Sequence, residues 1–122
     1  MKIIIIDETI RTVSFKGKSI FLTKKEFLLF KCITNARIKK MISVNEIISY
    51  VWQGREAIIS RINISQLIFR LRRKLTLLDS SVDISFSMAN GVCSHYLKSC
   101  ILIKDNVLIR FISSITQSII VK

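Results

Sequence analysis

Side chains that can hydrogen-bond to nucleic-acid bases and phosphates are concentrated between Ser60 and Leu75. At about 100° of rotation per residue, a helix over this stretch separates a polar front from an apolar back. Gln and Arg can form paired hydrogen bonds with base edges, and Arg or Lys can bind phosphate oxygens. The front carries Ile62, Gln66, Phe69, Arg70 and Arg73, with Asn63 and Lys74 on one flank and Arg72 nearer the buried edge. Such a face is suited to the major groove of double-stranded DNA.

The back of the same helix is an apolar stripe. It consists of Ile64, Ile68, Leu71 and Leu75 at i, i+4, i+7 and i+11, with Leu67 at its margin. This spacing predicts a helix that buries one face, and Ser60 is a suitable N-cap. Many surface helices are amphipathic, however, and arginines near a helix C-terminus also complement the helix dipole. The helix alone therefore does not distinguish a DNA-contacting face from a solvated one.

Two earlier helices are indicated by capping signals of the form Ser/Thr-x-x-Glu. The first, Thr23-Lys24-Lys25-Glu26, precedes an apolar run with helical spacing and predicts a helix that ends near Asn35. The second, Ser43-Val44-Asn45-Glu46, opens a helix whose apolar face includes Val51 and Trp52. We expect Trp52 to lie in the core, because it continues this apolar face.

Strands are predicted on both sides of the helices. Three short strands are expected at residues 2–6, 9–15 and 19–22, with a hairpin turn at Lys16-Gly17-Lys18. After the third helix, residues 82–87 alternate in polarity, Asn90-Gly91 is a favoured two-residue turn, and 92–97 can return as the partner strand. The sequence thus predicts an α+β winged helix-turn-helix domain over residues 1–99, with an N-terminal antiparallel sheet, three helices and a C-terminal wing hairpin.

Charge narrows the class of partner. Twenty basic and eight acidic side chains give a net charge of +12, which favours DNA, RNA or an anionic membrane surface. The three cysteines contain no CxxC pair, and no secretory signal precedes the first strand, so we expect a reduced, cytoplasmic protein. No stretch is apolar for long enough to predict a membrane span.

Chemistry beyond binding is not indicated. Cys93, His95 and Cys100 do not have the spacing of a usual zinc site, and a fourth ligand is missing. The single histidine, three glycines and scattered acids provide no catalytic triad, phosphate-binding loop or carboxylate pair. We therefore expect neither a cofactor nor an enzyme.

The order of elements resembles the OmpR/PhoB-type winged-helix DNA-binding domain over residues 1–98. The likeness is most specific at Leu22-Thr23-x-x-Glu26-Phe27, at Val51-Trp52 and at Leu71-Arg72-Arg73-Lys74-Leu75. The stretch from Asn63 to Arg72 is more similar to the ToxR/CadC-like branch than to response regulators. The resemblance implies a sequence-specific, bacterial transcriptional regulator that places its third helix in the major groove.

The resemblance also implies which side chains contact DNA. Base and phosphate contacts are expected from Asn63, Gln66, Phe69, Arg70 and Arg73, while Arg72 and Lys74 belong to the same basic turn. Phe69 can pack on a thymine methyl or could instead complete the core. Further phosphate contacts are expected from Lys24, Lys25, Lys39, Lys40 and Lys98, although such lysines are often simply solvated.

The resemblance also bears on the loop at 53–59 and on the wing. In the family the loop that corresponds to residues 53–59 can contact RNA polymerase, although Ile58-Ile59 is also explained by packing. The family's wing has basic residues near its tip, whereas the segment from Phe86 to Leu97 contains no Arg or Lys. The wing therefore offers no arginine for the minor groove.

Residues 100–122 form an apolar extension that the resemblance does not cover. Residues 101–103 and 107–109 could pair as a hairpin, and we expect the extension to mediate homodimerisation or partner docking, with packing on the domain's own sheet as the alternative. The expected ligand is double-stranded DNA, in an AT-rich promoter. The Ile- and Lys-rich composition suggests an AT-rich gene and a horizontally acquired bacterial regulator. The alternatives are a winged-helix protein-interaction module with weak or lost DNA binding and, more distantly, a membrane-surface protein.

Overall fold

A computed structural model describes residues 2–35, 41–55, 58–94, 96–97 and 100–104. The helices are α1 (Lys24–Asn35), α2 (Val44–Val51) and α3 (Arg61–Leu78). The strands are β1 (Lys2–Asp7), β2 (Thr12–Phe15), β3 (Lys18–Phe21), β4 (Ser85–Ser87), β5 (Gly91–Cys93) and β6 (Cys100–Lys104). The predicted α+β class, with three helices between an N-terminal sheet and a C-terminal hairpin, is confirmed.

The N-terminal strands form a meander in which β1 pairs with β2 and β2 pairs with β3, both antiparallel. Lys16 and Gly17 connect β2 to β3 with positive φ at both positions, as a two-residue hairpin turn of type I′ requires. The predicted second strand began too early, at residue 9. The Asp7 carboxylate accepts hydrogen bonds from the backbone amides of Thr9 (2.9 Å) and Ile10 (3.4 Å), and this side-chain turn delays β2 until Thr12.

A fourth strand makes the sheet mixed, where the sequence predicted an antiparallel one. The strand order is β3-β2-β1-β6, and β6 runs parallel to β1 with Lys2 opposite Cys100 and Ile6 opposite Lys104. The first five residues of the predicted extension therefore belong to the domain's own sheet. The proposed hairpin partner at residues 107–109, and the extension beyond residue 104, lie outside the described residues.

The helices pack their predicted apolar faces into one core. In α3 the buried residues are Ile64, Leu67, Ile68, Leu71, Leu75 and Leu78, so the stripe is confirmed and the helix continues three residues past the predicted end. Trp52 is 5% exposed and belongs to the core, as predicted. The Ser43 hydroxyl caps α2 by accepting a hydrogen bond from the Glu46 amide. Cys32, Cys93 and Cys100 are buried and form no disulfide with one another.

A polar cluster joins the first strand to the end of α3. The Lys2 ammonium donates to the Asp79 carboxylate (2.8 Å) and to the Ser81 hydroxyl (2.6 Å), and the Tyr96 hydroxyl donates to the same carboxylate (3.1 Å). The hydrogen bond from Lys2, followed by those from Ser81, holds the pKa of Asp79 well below its usual value. The C-terminal end of α3 is thereby connected both to the sheet and to the segment that follows the wing.

The wing is the antiparallel pair β4–β5, in which Ser87 lies opposite Gly91 and Ser85 opposite Cys93. The predicted Asn90-Gly91 turn is wrong in detail, because the connection contains three residues, 88–90, and Gly91 is already in β5. The predicted return strand is also too long, since Tyr96 and Leu97 are helical. Among the described residues, no helix has both the length and the apolar character needed to cross a membrane.

Candidate nucleic-acid interface

The start of α3 is fixed by a reciprocal cap. The Ser60 hydroxyl accepts a hydrogen bond from the Asn63 amide (3.3 Å), and the Asn63 side-chain oxygen accepts from the Ser60 amide (3.0 Å) and hydroxyl (2.8 Å). This capping box satisfies two backbone amides that would otherwise lack partners at the helix N-terminus. Asn63, predicted as a DNA contact, is exposed, but its carbonyl group is engaged in the cap.

The front of α3 is open to solvent. Gln66, Arg70 and Arg73 are exposed, as is Arg72 on the adjoining edge. Phe69 is 58% exposed and Ile62 is 66% exposed, so neither completes the core. The helix contains five basic residues and no acidic one. The arrangement therefore offers hydrogen-bond donors, positive charge and apolar surface on one exposed face.

A buried carboxylate joins one flank of α3 to the start of α1. Glu26 is 1% exposed, and its side chain accepts hydrogen bonds from the Lys74 ammonium (2.6 Å) and the Thr23 amide (2.9 Å). The Arg70 guanidinium lies 3.9 Å from the second carboxylate oxygen. Lys74 also donates to the backbone carbonyl of Phe21 (3.1 Å). Lys74, predicted as a DNA contact, is thus positioned at the junction of α3, α1 and β3.

The charge state of Glu26 follows from these contacts. Burial disfavours the charged form, but the hydrogen bonds from Lys74 and Thr23 and the charges of Lys74 and Arg70 outweigh it and lower the pKa of Glu26. At neutral pH the group is a carboxylate. It therefore acts as an anionic anchor for two basic side chains of α3.

The basic start of α1 lies beside the end of α2. Lys24 and Lys25 are exposed and, with Arg55, line a concavity of about 400 Å³ at the C-terminal end of α2. The Lys25 ammonium is 5.7 Å from the centroid of the Trp52 ring. This distance is within the range of a cation–π contact. Three basic side chains are thereby brought together, and Arg55 was not among the predicted contacts.

The other segments predicted to bear on DNA or polymerase contact are three lysines, the loop at 53–59 and the wing. Lys39, Lys40 and Lys98 lie outside the described residues. In the loop at 53–59, Ile59 packs against the core, whereas Ile58 is 72% exposed. The wing strands and their connection, residues 85–93, contain no charged residue.

Sequence reasoning identified the helix front but missed two features of the site. The first is the role of Glu26 as the partner of Arg70 and Lys74; the spacing of these two residues by four positions placed them on one flank and was the available signal. The second is Arg55, which lines the same concavity as Lys24 and Lys25. Its position three residues after Trp52, at the end of the second predicted helix, was the available signal in the sequence.

The architecture is similar to two DNA-binding domains of known structure. The DNA-binding domain of E. coli CadC matches with a TM-score of 0.61 and 22% sequence identity, covering 70% of this chain and 79% of that chain. The crystal structure of the DNA-binding domain of Bacillus subtilis CssR matches with a TM-score of 0.57 and 26% identity, covering 71% and 93%. No protein-family model matches the chain, and a comparison with curated proteins finds no match. The predicted resemblance to OmpR/PhoB-type and ToxR/CadC-like domains is confirmed in the fold, which is a winged helix.

Proposed function

We propose that this protein is a sequence-specific, double-stranded-DNA-binding transcriptional regulator of the cytoplasm that inserts α3 into the major groove. The observation that carries the proposal is the exposed front of α3, where Gln66, Arg70 and Arg73 extend from a helix whose opposite face is buried. A helix held in this way presents its side chains in a fixed arrangement, and the major groove is wide enough to accept it. The likeness to the CadC and CssR DNA-binding domains supports the same conclusion.

The proposed mechanism is positional and requires no catalysis. Gln66, Arg70 and Arg73 contact base edges, and basic side chains outside the groove bind phosphates and set the register. Lys24 and Lys25 are proposed for the phosphates, as are Lys39, Lys40 and Lys98. The bound protein then recruits or excludes RNA polymerase, for which the loop at 53–59 is the proposed contact because Ile58 is exposed there.

Replacement of two arginines on the helix front tests the proposal. We expect Arg70→Ala/Arg73→Ala to weaken binding to a preferred duplex by at least about 30-fold, since each bidentate contact to a base contributes roughly 1–3 kcal/mol. Binding is measured by fluorescence anisotropy with AT-rich and GC-rich duplexes at about 50 and 200 mM salt. If six phosphates are neutralised, affinity of the wild type should fall about 10³-fold between those salt concentrations.

The matched control is Lys16→Ala/Lys18→Ala, which removes the same charge at the β2–β3 turn. We expect only a few-fold effect, because long-range attraction between exposed charges is screened by salt. Weak binding that ignores sequence and is unaffected by the arginine variant would instead support a protein-interaction module. Binding to anionic liposomes but not to duplexes would support a membrane-surface protein.

Association between copies of the chain is proposed for the surface around β6. Ile3 and Ile101 are register partners on the outer side of the sheet and are 47% and 41% exposed, and Ile5 is 40% exposed on the same side. This apolar surface lies on β1 and β6, and residues 105–122 continue from β6. We propose that residues 100–122 and this surface together form a homodimer interface.

We expect sedimentation velocity to give a dimer for the full chain and a monomer after deletion of residues 105–122. Ile3→Thr/Ile5→Thr should also weaken the dimer, because it removes apolar area from the outer face while retaining β-branched side chains. The control Ile10→Thr changes a more exposed isoleucine in the turn before β2 and should not affect the dimer. A full chain that is monomeric at about 100 μM, above the Kd of most stable dimers, would contradict the proposal.

A further inference from the structure

Two large apolar side chains lie among polar and basic residues in the first half of the exposed face of α3, and Leu77 is 69% exposed near the end of the helix. Ile62 and Phe69 are 66% and 58% exposed, and we refer to them together as the apolar ridge. They are seven residues apart, which is nearly two helical turns, so they point to the same side of α3. Gln66 lies between them on that side.

The composition of the face restricts what can cover the ridge. Arg70 and Arg73 flank it, and α3 contains no acidic residue, so an occupant must offer negative charge beside apolar groups. In the major groove, phosphates supply the charge and the C5-methyl group of thymine is the apolar group on a base edge. A duplex lacking thymine offers the phosphates but leaves the ridge facing polar base edges.

The separation of the two side chains along α3 allows them to reach different base pairs. Ile62 and Phe69 are separated by about 10 Å along the helix axis, at about 1.5 Å per residue. This distance exceeds the rise of one base pair, about 3.4 Å, so two side chains of a helix in the major groove do not meet the same pair. Gln66 lies between them. Its side-chain N–H can donate to adenine N7 and its side-chain oxygen can accept from the adenine N6 amino group, and each adenine is paired with a thymine that carries a methyl group.

We propose that the apolar ridge determines specificity by contacting the thymine C5-methyl groups of two different base pairs, with Gln66 hydrogen-bonding to an adenine between them. This inference rests on the proposed function. It specifies the ligand as DNA duplexes that are recognised through methyl groups in the major groove. AT preference is then a consequence of direct contact with the ridge.

The test uses two hairpin-closed DNA duplexes of about 30 alternating base pairs. One contains A·T pairs, and the other contains A·U pairs, with deoxyuridine in place of thymidine. Uracil lacks the C5-methyl group but retains the base hydrogen-bonding groups and the phosphates. We expect the wild type to bind the A·T duplex about tenfold more tightly, corresponding to the burial of about two methyl groups. Ile62→Ser/Phe69→Ser should bind both duplexes equally while keeping the salt dependence of the wild type.

Two controls make the result specific. Ile10→Ser changes a similarly exposed apolar residue (54%) away from α3 and should keep the preference for thymine. Alternating G·C duplexes with cytosine or 5-methylcytosine should show the reverse change, because methylation adds an apolar group at the same position of the pyrimidine. Wild-type affinity should rise on methylation, and that of the ridge variant should not.

The failure of this inference is distinguishable from failure of the proposed function. Equal, salt-dependent binding of the wild type to the A·T and A·U duplexes would overturn contact with methyl groups and leave DNA binding intact. Persistence of the preference in the ridge variant would overturn it as well, since discrimination would then come from DNA deformability. Absence of salt-dependent binding to every duplex would contradict the proposed function itself.

Discussion

Gly91→Ala is expected to destabilise the domain by about 2–6 kcal/mol. Gly91 has φ +88°, a region that costs other residues roughly 1–3 kcal/mol. An added Cβ would overlap the Ile42 carbonyl oxygen and lie 2.7 Å from its carbonyl carbon, both backbone atoms that cannot move independently. Overpacking of this kind adds roughly 1–3 kcal/mol. Since domains of this size are stable by about 5–15 kcal/mol, thermal unfolding should show a Tm lower by roughly 10 °C or more.

The tight contact at Gly91 exists because the wing is hydrogen-bonded to the segment before α2. Ile42 and Val92 exchange two backbone hydrogen bonds, of 2.9 Å and 2.8 Å, immediately beside Ser43, the N-cap of α2. The wing is therefore positioned relative to the helices by backbone contacts. Loss of these contacts should displace the wing without removing any residue of the α3 front.

The matched control for this prediction is Gly17→Ala. Gly17 has nearly the same φ, +81°, but an added Cβ there would meet no atom within 4 Å. It should cost only the conformational strain, roughly 1–3 kcal/mol as at Gly91. The difference between the two variants in urea unfolding therefore isolates the clash with Ile42. Equal destabilisation by both variants would show that the backbone conformation alone accounts for the effect and that the Ile42 backbone leaves room for a Cβ at residue 91.

The parts of the fold that could be predicted from sequence are those with local signals. The caps at Thr23, Ser43 and Ser60 place hydroxyls next to the amides they satisfy, and these local interactions fixed where the helices begin. The buried stripe of α3 repeats every three or four residues, so its face was determined by periodicity alone. The exposed front of the candidate site followed directly, because it is the complement of that stripe.

The parts that could not be predicted depend on residues distant in sequence. The parallel pairing of β6 with β1 joins residues about 98 positions apart, and no short-range pattern specifies such a partner. The three-residue wing connection depends on the approach of β5 to Ile42, which places Gly91 in the strand. Lys74 has the type and flank of a phosphate contact, yet Glu26, 48 residues earlier, engages it. Sequence therefore predicted the helix face but not which of its charges are already paired.

Glu26→Gln should destabilise the domain by about 2 kcal/mol and reduce discrimination between DNA sequences. Removing one partner of a fully buried ion pair costs about 3–5 kcal/mol, but the Lys74 side chain is 33% exposed and can recover part of its hydration. The amide retains a hydrogen-bond acceptor for the Thr23 backbone, so the cap of α1 is conserved. What is lost is the charge that connects α1 to Arg70 and Lys74 on α3.

Glu26→Gln should change the affinities for preferred and non-preferred duplexes in different ways. Removal of the carboxylate leaves Arg70 and Lys74 with an uncompensated positive charge, so affinity for a non-preferred duplex should rise or stay constant. Affinity for the preferred duplex should fall, because α3 is less firmly oriented against α1. Glu8→Gln makes the same charge change at a carboxylate that is 43% exposed and pairs with Lys31 and Lys104 across 3.5 and 3.4 Å. It should cost less than about 0.5 kcal/mol and leave the specificity ratio unchanged.

The pH dependence of unfolding gives an independent test of Glu26. Its pKa is lower in the folded protein than the usual value of 4.5, so its contribution to stability is complete above that pH and is lost as the pH falls through the folded-state value. The wild type should therefore lose stability relative to Glu26→Gln as the pH decreases below about 4.5. Asp79, whose pKa is also lowered, contributes in the same direction to both proteins and cancels in the difference. A difference in unfolding free energy that is independent of pH from 7 to 3 would contradict a charged Glu26 anchor for α3.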